Sequence, residues 1–377
     1  MKIVGIICEY NPMHLGHRKQ IQKIRAQLGE DTAIVCLMSG NFVQRGAPAI
    51  VDMSFRAQTA LRCGADLVLE LPVVYALSSA EGFAAGGVRI LGSFCDYLCF
   101  GSETGDEQSL LATAQALLSE DFPEKLHTYL DQGLSFPAAR QAALGEAGQL
   151  LRNPNDILAV EYCKAILNQS CPMKPLPIRR GGSYHDQQID PENPSATAIR
   201  QRMLQGEDWH PLVPFSDLVK DAPLHQLFSG EQAIVYRLRT MTDGEFEALP
   251  YGSEGLWRKL MHASRSFGTL EDIIAATKSK RYTRSRIDRM ILCAFLGLTA
   301  GDLSATAPYC RVLALNDTGR LALKTARNNG HFPNIGEEID HPYQAIENRC
   351  DALYPLFTVG TISTPILNTS RRIFYQT

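Results

Sequence analysis

Ile3-Val4-Gly5-Ile6-Ile7-Cys8-Glu9-Tyr10-Asn11-Pro12-Met13-His14-Leu15-Gly16-His17-Arg18-Lys19-Gln20 is the stretch that decides the fold. Its first six residues are apolar throughout, which reads as a strand covered on both faces. A short polar loop follows, and from Leu15 to Leu28 the spacing predicts a helix. Strand followed directly by helix is half of a βα unit, and the pattern recurs. Thr32–Met38, Asp66–Leu71 and Asp96–Phe100 read as buried strands, with helices predicted over Ser54–Cys63 and Ala80–Leu91. Repeated βα units imply right-handed crossovers and an open, doubly wound parallel sheet of Rossmann-like α/β type. Ligands of such sheets bind beyond the C-terminal ends of the strands. Function is therefore expected in the loops after Cys8, Met38 and Phe100.

From Asp106 to Gln169 the pattern is helical, Met173–Ile178 reads as a strand, and a helix opens near Ser195. Beyond Pro211 the character changes. Helices are predicted over Val213–Leu218, Glu231–Thr240, Leu256–Ser264, Leu270–Ala276 and Ile287–Leu296. A strand is expected at Arg311–Leu315, then a turn and helix over Asn316–Arg327. The 377 residues thus divide into an α/β domain, 1–208, and a mainly helical domain, 209–377, with the boundary near Gln205–Pro214. Hydrophobic residues at 45% and charged residues at 20% are ordinary for a globular protein and exclude wholesale disorder. The net charge is −3, so any nucleic-acid contact must come from a local basic patch. The ten cysteines include no CxxC and several lie in apolar runs, which reads as reduced, buried thiols of a cytosolic protein. No apolar run is long enough to span a bilayer, and Met1-Lys2 leads straight into a strand rather than a signal peptide.

His14 and His17 are three apart and share one face of the first helical turn. Unpaired backbone N–H groups and the positive end of the helix dipole lie there, so two imidazoles can hold polyphosphate oxygens. Gly16 has no Cβ and would let a flat base approach the backbone. The plainer alternative is a pair of capping or packing histidines. Far along the chain, Ser195-Ala196-Thr197-Ala198-Ile199-Arg200 combines an N-cap hydroxyl, helix-start N–H groups and a guanidinium into a second phosphate grip, or is merely a capped helix with a surface arginine. The loop Ser39–Pro48 carries Asn41, Gln44 and Arg45 between two glycines, at the C-terminal edge of a parallel sheet where loops often carry function, or is a plain connection. Lys278, Lys280, Arg281, Arg284, Arg286 and Arg289 cluster around Tyr282, opposed only by Asp288. That is either a solvated helix face or a patch binding RNA phosphates with a tyrosine for stacking.

The two phosphate-handling elements together resemble the HIGH and S-x-T-x-I-R signatures of the nucleotidyltransferase superfamily. A wider set of residues is similar to the tRNA(Met) cytidine acetate ligase family. That set comprises Val4 through His17, Met38-Ser39-Gly40-Asn41-Phe42-Val43-Gln44-Arg45-Gly46-Ala47-Pro48, Asp66–Pro72 and Phe100-Gly101-Ser102-Glu103. It continues through Pro154-Asn155-Asp156-Ile157-Leu158, Tyr184-His185-Asp186, Ser195–Arg200 and Lys278–Thr283 to Arg289-Met290. The match runs to about residue 315 and weakens beyond it; Met13 stands where the family often has Phe, a packing change. The resemblance implies an ATP site built from Ile7–Gln20, Gly101, Asn155 and the Arg179-Arg180 pair, with His14, His17, Ser195, Thr197 and Arg200 acting on the phosphates. Read as a residue alone, Asn155 is equally an N-cap for the following helix. The substrates implied are ATP, acetate and elongator tRNA(Met), whose wobble cytidine would be acetylated through an acetyl-adenylate with release of pyrophosphate. Asn41, Gln44, Arg45, Lys280, Arg281, Tyr282, Arg284 and Arg289 would face the acyl group and the tRNA. Mg²⁺ is expected, although no carboxylate cluster identifies its ligands, and neither a membrane nor DNA is expected as partner. The competing expectations are a small-molecule adenylyltransferase and a non-catalytic RNA-binding protein.

Overall fold

The structure is a computed structural model that describes residues 1–179, 195–279, 281–328, 335, 339–360 and 373–376. Strands form where the apolar runs predicted them: β1 (Ile3–Cys8), β2 (Ala33–Ser39), β3 (Leu67–Leu71), β4 (Tyr97–Ser102) and β5 (Lys174–Arg179). β1 pairs in parallel with β2 and β4, β2 with β3, and β4 with β5. Two strands from the far end of the chain complete the sheet. β6 (Val312–Leu315) runs antiparallel beside β3, and β7 (Phe374–Tyr375) runs parallel beside β6. The order across the sheet is β5-β4-β1-β2-β3-β6-β7. The chain leaves β1 toward β2 and β3, then returns to the other side of β1 for β4. The crevice between the ends of β1 and β4 is thus the topological switch point where such sheets take their ligands.

Alternate residues of each strand face opposite cores. Val4, Ile6, Ile34, Cys36 and Met38 pack with Ile21 and Ile24 of α1 (Leu15–Leu28) and Ala57 and Ala60 of α2 (Met53–Arg62). Ile3, Ile7, Val35 and Leu37 join Phe83 and Val88 of α3 (Ala80–Leu91) and Val160 of α4 (Pro154–Asn168). This second core continues into Leu292 and Phe295. The chain beyond α5 (Ala196–Gln205) is mainly helical, with α6 (Glu231–Thr240), α7 (Leu256–Ser266), α8 (Leu270–Thr277), α9 (Arg284–Leu296), α10 (Asp317–Asn328) and α11 (Tyr343–Leu353). It also returns two strands to the sheet, so the sheet and these helices share a core across residue 208. The helix expected over Val213–Leu218 is replaced by two short 3₁₀ turns, His210–Leu212 and Ser216–Leu218. Pro211 and Pro214 lack the N–H a continuous helix needs, and Phe215 between the turns adopts φ +54.

All ten cysteines are free, and all but Cys8 and Cys171 are buried. Among the described residues no helix is long and apolar enough to cross a membrane.

One ionic cluster fastens α11 to the sheet. Arg311 Nε lies 2.5 Å from Glu70 Oε2 on β3 and 3.4 Å from Glu347 Oε2, and its Nη1 lies 3.0 Å from Asp351 Oδ2. Three carboxylates around one guanidinium leave negative charge buried. Burial, then the charge of Glu70, pushes the Glu347 carboxyl up to about 8, and burial raises Asp351 to about 6. A carboxyl that binds its proton more tightly in the fold than in the open chain contributes stability that is full at low pH. That contribution is lost as pH rises, for Glu347 between its ordinary value near 4.5 and about 8. Glu347→Gln, a permanently neutral stand-in, is therefore expected to gain on the wild type by about 1 kcal/mol between pH 7 and 9. Calorimetric melting of both proteins at the two pH values checks it; parallel curves would show that Glu347 keeps its charge in the fold.

Candidate functional site

α1 starts at the switch-point crevice, and its N-cap is His14. His14 Nδ1 accepts the Gly16 N–H at 3.2 Å, while His17 Nδ1 accepts the N–H of His14 at 3.3 Å. The two rings satisfy each other's turn as a reciprocal capping box. An imidazole that accepts at Nδ1 carries its proton at Nε2 in the neutral form, so both rings present Nε2–H as the donor. The rings stack with centroids 3.7 Å apart, and Tyr10 lies 4.9 Å from His17. The capping reading and the phosphate reading are thus compatible: the δ nitrogens shape the helix start, and the phosphate reading asks only for the ε nitrogens. Acidic side chains are missing from the first turn of α1, so no carboxylate of its own neutralises that helix end. A Cβ at Gly16 would lie 3.0 Å from His14 Cε1, so the glycine also spares the histidine ring.

The second element meets the first. Ser195 caps α5 by accepting the Ala198 N–H at 3.1 Å. Arg200 donates from Nη1 to the Asn11 carbonyl at 2.7 Å and from Nη2 to Thr197 Oγ1 at 3.0 Å. Residues almost two hundred positions apart therefore share one loop. Arg18 stands over the Phe215 ring at 5.7 Å, and Gln20 Nε2 donates to Cys99 Sγ at 3.5 Å.

Across the crevice, β4 ends in a reciprocal lock. Glu103 accepts the backbone N–H of Asn155 at 3.3 Å, the Asn155 side-chain amide at 2.6 Å and the Asp156 N–H at 2.8 Å. Asp156 accepts from Ser102 Oγ and from the Glu103 N–H. This pins Gly101 and Asn155 on the far wall. The N-cap position of α4 is Asn153, so the alternative of Asn155 as N-cap does not hold. Arg179 ends β5 beside Gly105, where a Cβ would come 2.8 Å from the arginine's own Cβ. Arg180 and Tyr184-His185-Asp186 lie outside the described residues.

Several expected substrate contacts are corrected. Asn41 is buried; its Oδ1 accepts the Met53 N–H at 2.9 Å at the start of α2, and its Nδ2 faces Asp351 Oδ1 at 3.5 Å. That side chain holds the start of α2 to the Ser39–Pro48 loop. Tyr282 is also buried, and its hydroxyl donates to the Glu254 carbonyl at 2.6 Å, so its ring is unavailable for stacking on a base. Arg284 is held by Glu271 at 2.9 Å and Asp288 at 2.8 Å, and Arg281 pairs with Glu254 at 3.3 Å. Besides Asp288 within the stretch, Glu254 and Glu271 thus face its arginines, which charge counting over the stretch alone did not include. Arg289 donates to the Gln44 carbonyl at 3.3 Å, and Gly46 packs so tightly on α9 that a Cβ would meet the Arg289 nitrogen at 2.4 Å. The loop Ser39–Pro48 is thus seated on α9, with Arg45 exposed and the Gln44 N–H donated to Glu9 Oε1 at 2.8 Å. Lys280 lies outside the described residues. Among the described residues no group of three or more His, Cys, Asp or Glu side chains is placed to hold a metal ion.

The chain is similar to several known proteins. The family model of the HIGH nucleotidyl transferases matches residues 1–360. The chain is 37% identical over 361 residues to a tRNA(Met) cytidine acetate ligase of Clostridium novyi, covering 88% of this chain and 89% of that one. It is 35% identical over 402 residues to the protein of the same name from Clostridium acetobutylicum, covering 99% of each. Among solved structures it is similar to Thermotoga maritima TmcAL without ligand, with a TM-score of 0.89, 28% identity and full coverage of both chains. The same Thermotoga protein bound with alpha-thio ATP gives a TM-score of 0.88 at 29% identity, again with full coverage of both chains.

Proposed function

Because the chain belongs to the HIGH nucleotidyl transferases and, within them, to the tRNA(Met) cytidine acetate ligase family, we propose that it acetylates the wobble cytidine of elongator tRNA(Met) using acetate and ATP. The observation that carries this reading is that the His14–His17 pair and Arg200 share the loop around Asn11, at the start of a helix whose first turn carries no acidic side chain. In the first step an acetate oxygen attacks the α-phosphorus, the bond to the bridging oxygen breaks, and pyrophosphate leaves with the electron pair. Negative charge grows on the departing oxygens, and preorganised N–H donors aimed there lower the barrier. His14, His17 and Arg200 supply such donors, with the α5 start capped by Ser195 behind them and Thr197 orienting Arg200. Mg²⁺, which keeps several waters and binds substrate phosphates readily, would enter on the triphosphate rather than in a protein cage.

In the second step the exocyclic amine of cytidine attacks the acetyl carbonyl, the amine loses a proton, and AMP leaves. That amine is delocalised into its ring and is a poor nucleophile, which is why an activated acyl donor is needed. Gly101, Asn155 and Arg179 on the far wall complete the nucleotide crevice in this reading. The exposed Arg45 and its loop stand on the acyl or cytidine side in this reading. RNA contact falls to the exposed cations of the helical part, Lys278 and Arg281 among them, rather than to Tyr282 or Arg284.

The test is to incubate the protein with labelled acetate, ATP, Mg²⁺ and tRNA(Met). Label is expected first in acetyl-adenylate and then in acetylcytidine, without acetyl-CoA. Label reaching tRNA only from acetyl-CoA would overturn the reading. ATP turnover with no transfer to any tRNA would point to a small-molecule adenylyltransferase instead.

A further inference from the structure

Arg56, on α2, is the largest of the fully buried side chains, only 1% exposed. An arginine inside a core has to place its donors, because burying an unsatisfied charged group costs several kcal/mol. Arg56 places four of its five N–H groups on backbone carbonyls. Nε donates to Val51 O at 3.0 Å, Nη1 to Glu9 O at 2.6 Å and to Ser39 O at 3.0 Å, and Nη2 to Gly40 O. No carboxylate among the described residues forms an ion pair with it. Three of the four carbonyls lie at or just beyond the C-terminal ends of β1 and β2, where the Glu9–His14 loop and the Ser39–Pro48 loop begin.

The grip on Glu9 leads to the histidines in two further steps. Tyr10 has φ +44, a left-handed backbone that a bulky residue adopts only when its surroundings over-determine it. Its neighbours do so: Arg56 holds Glu9 O on one side, while Arg200 holds Asn11 O at 2.7 Å and the Ile50 N–H holds Asn11 Oδ1 at 2.7 Å on the other. In this backbone the Tyr10 ring is buried against the imidazole of His17, centroids 4.9 Å apart, with its hydroxyl 3.4 Å from Cys36 Sγ. His17 in turn stacks on His14.

We propose that Arg56 is a positioning residue for the reaction: through Glu9 and Tyr10 it sets the placement of the two imidazoles, and through Ser39 and Gly40 it fixes the Ser39–Pro48 loop relative to them. The inference rests on the ligase reading for its kinetic consequence but not for its structural one. A lysine keeps the charge yet offers three donors from a single point, so it cannot span carbonyls of three separate segments.

Arg56→Lys is therefore expected to fold. In acetate-dependent exchange of labelled pyrophosphate into ATP its kcat should fall by ~10²-fold, the scale of an ångström-sized misplacement, while KM for ATP changes less than about threefold. Independently of turnover, the ring-nitrogen resonances of His14 and His17 should move in a histidine-selective proton–nitrogen spectrum. Tyr10→Leu, which breaks the next link and leaves Arg56 in place, should move the same resonances and serves if the lysine variant does not fold. Wild-type kcat in a folded Arg56→Lys, or histidine signals unmoved in the folded variants, would overturn the proposal. A wild-type protein that exchanges no pyrophosphate would overturn the ligase reading alone, since the histidine spectra still decide the role of Arg56.

Discussion

His17→Asn should leave the protein folded and lower its acetate-dependent ATP–pyrophosphate exchange by roughly 10²–10³-fold, the usual cost of removing one preorganised donor from a site of developing charge. Asparagine is chosen over alanine because His17 does two things. Its Nδ1 accepts the His14 N–H at 3.3 Å, and loss of such a cap costs about 1 kcal/mol of stability. A side-chain carbonyl at the same helix position can take over that acceptor role. What asparagine cannot reproduce is the donor at the far side of the imidazole. The loss should therefore fall on kcat more than on KM for ATP, because the charge His17 meets grows only as the pyrophosphate leaves. Melting curves should nearly coincide with those of the wild type. Exchange within a few-fold of the wild type, in a variant that melts normally, would make the pair a helix cap and nothing more.

The part of the fold that could be read from sequence is the part built from local signals. β1 and α1 lie where the apolar run and the helical spacing placed them, and the same holds for β2 to β4, because strands buried on both faces have no polar alternation to confuse them; β5, a partly exposed edge strand, also lies where it was read. The strand at Val312–Leu315 was also legible, but its antiparallel place beside β3 was not: that pairing joins Leu67 to Leu315 and is set by packing, not by any local spacing. The candidate site divides in the same way. His14, His17, Ser195 and Arg200 announce themselves by residue type at a helix start. Asn41 and Tyr282 looked functional for the same reason, a polar or aromatic side chain in a promising loop, yet tertiary partners far along the chain employ both. Arg56 was overlooked because an arginine in an amphipathic helix ordinarily faces water, and only the folded chain shows four carbonyls converging on it. The carboxylates that neutralise Arg281 and Arg284 escaped notice similarly, since Glu254 and Glu271 become neighbours only when α7, α8 and α9 pack together.

Arg200→Met is expected to reduce ATP turnover about as severely as loss of His17, again by ~10²–10³-fold, with the fold intact. Methionine keeps the apolar stem and deletes the planar head that spans Asn11 O at 2.7 Å and Thr197 Oγ1 at 3.0 Å. Two roles are bound up in that head, the tether between α5 and the Asn11 loop and, in the proposed function, a fixed positive charge beside the phosphates, and Arg200→Lys separates them. Lysine retains the charge but not the fork, so it should recover part of the rate if charge dominates and almost none if the tether does. The Ser195 cap of α5 is untouched by either change, so local unfolding is an insufficient explanation for a loss in both. The sharpest measurement is the double variant His17→Asn/Arg200→Met. If the imidazole and the guanidinium stabilise one transition state as a unit, removing the second after the first costs far less than removing it alone, and the two losses do not add. Full additivity would instead mean that the histidines and Arg200 act on separate steps. Turnover of Arg200→Met within about threefold of the wild type would reduce Arg200 to a surface tether and leave the phosphate grip to α1 alone.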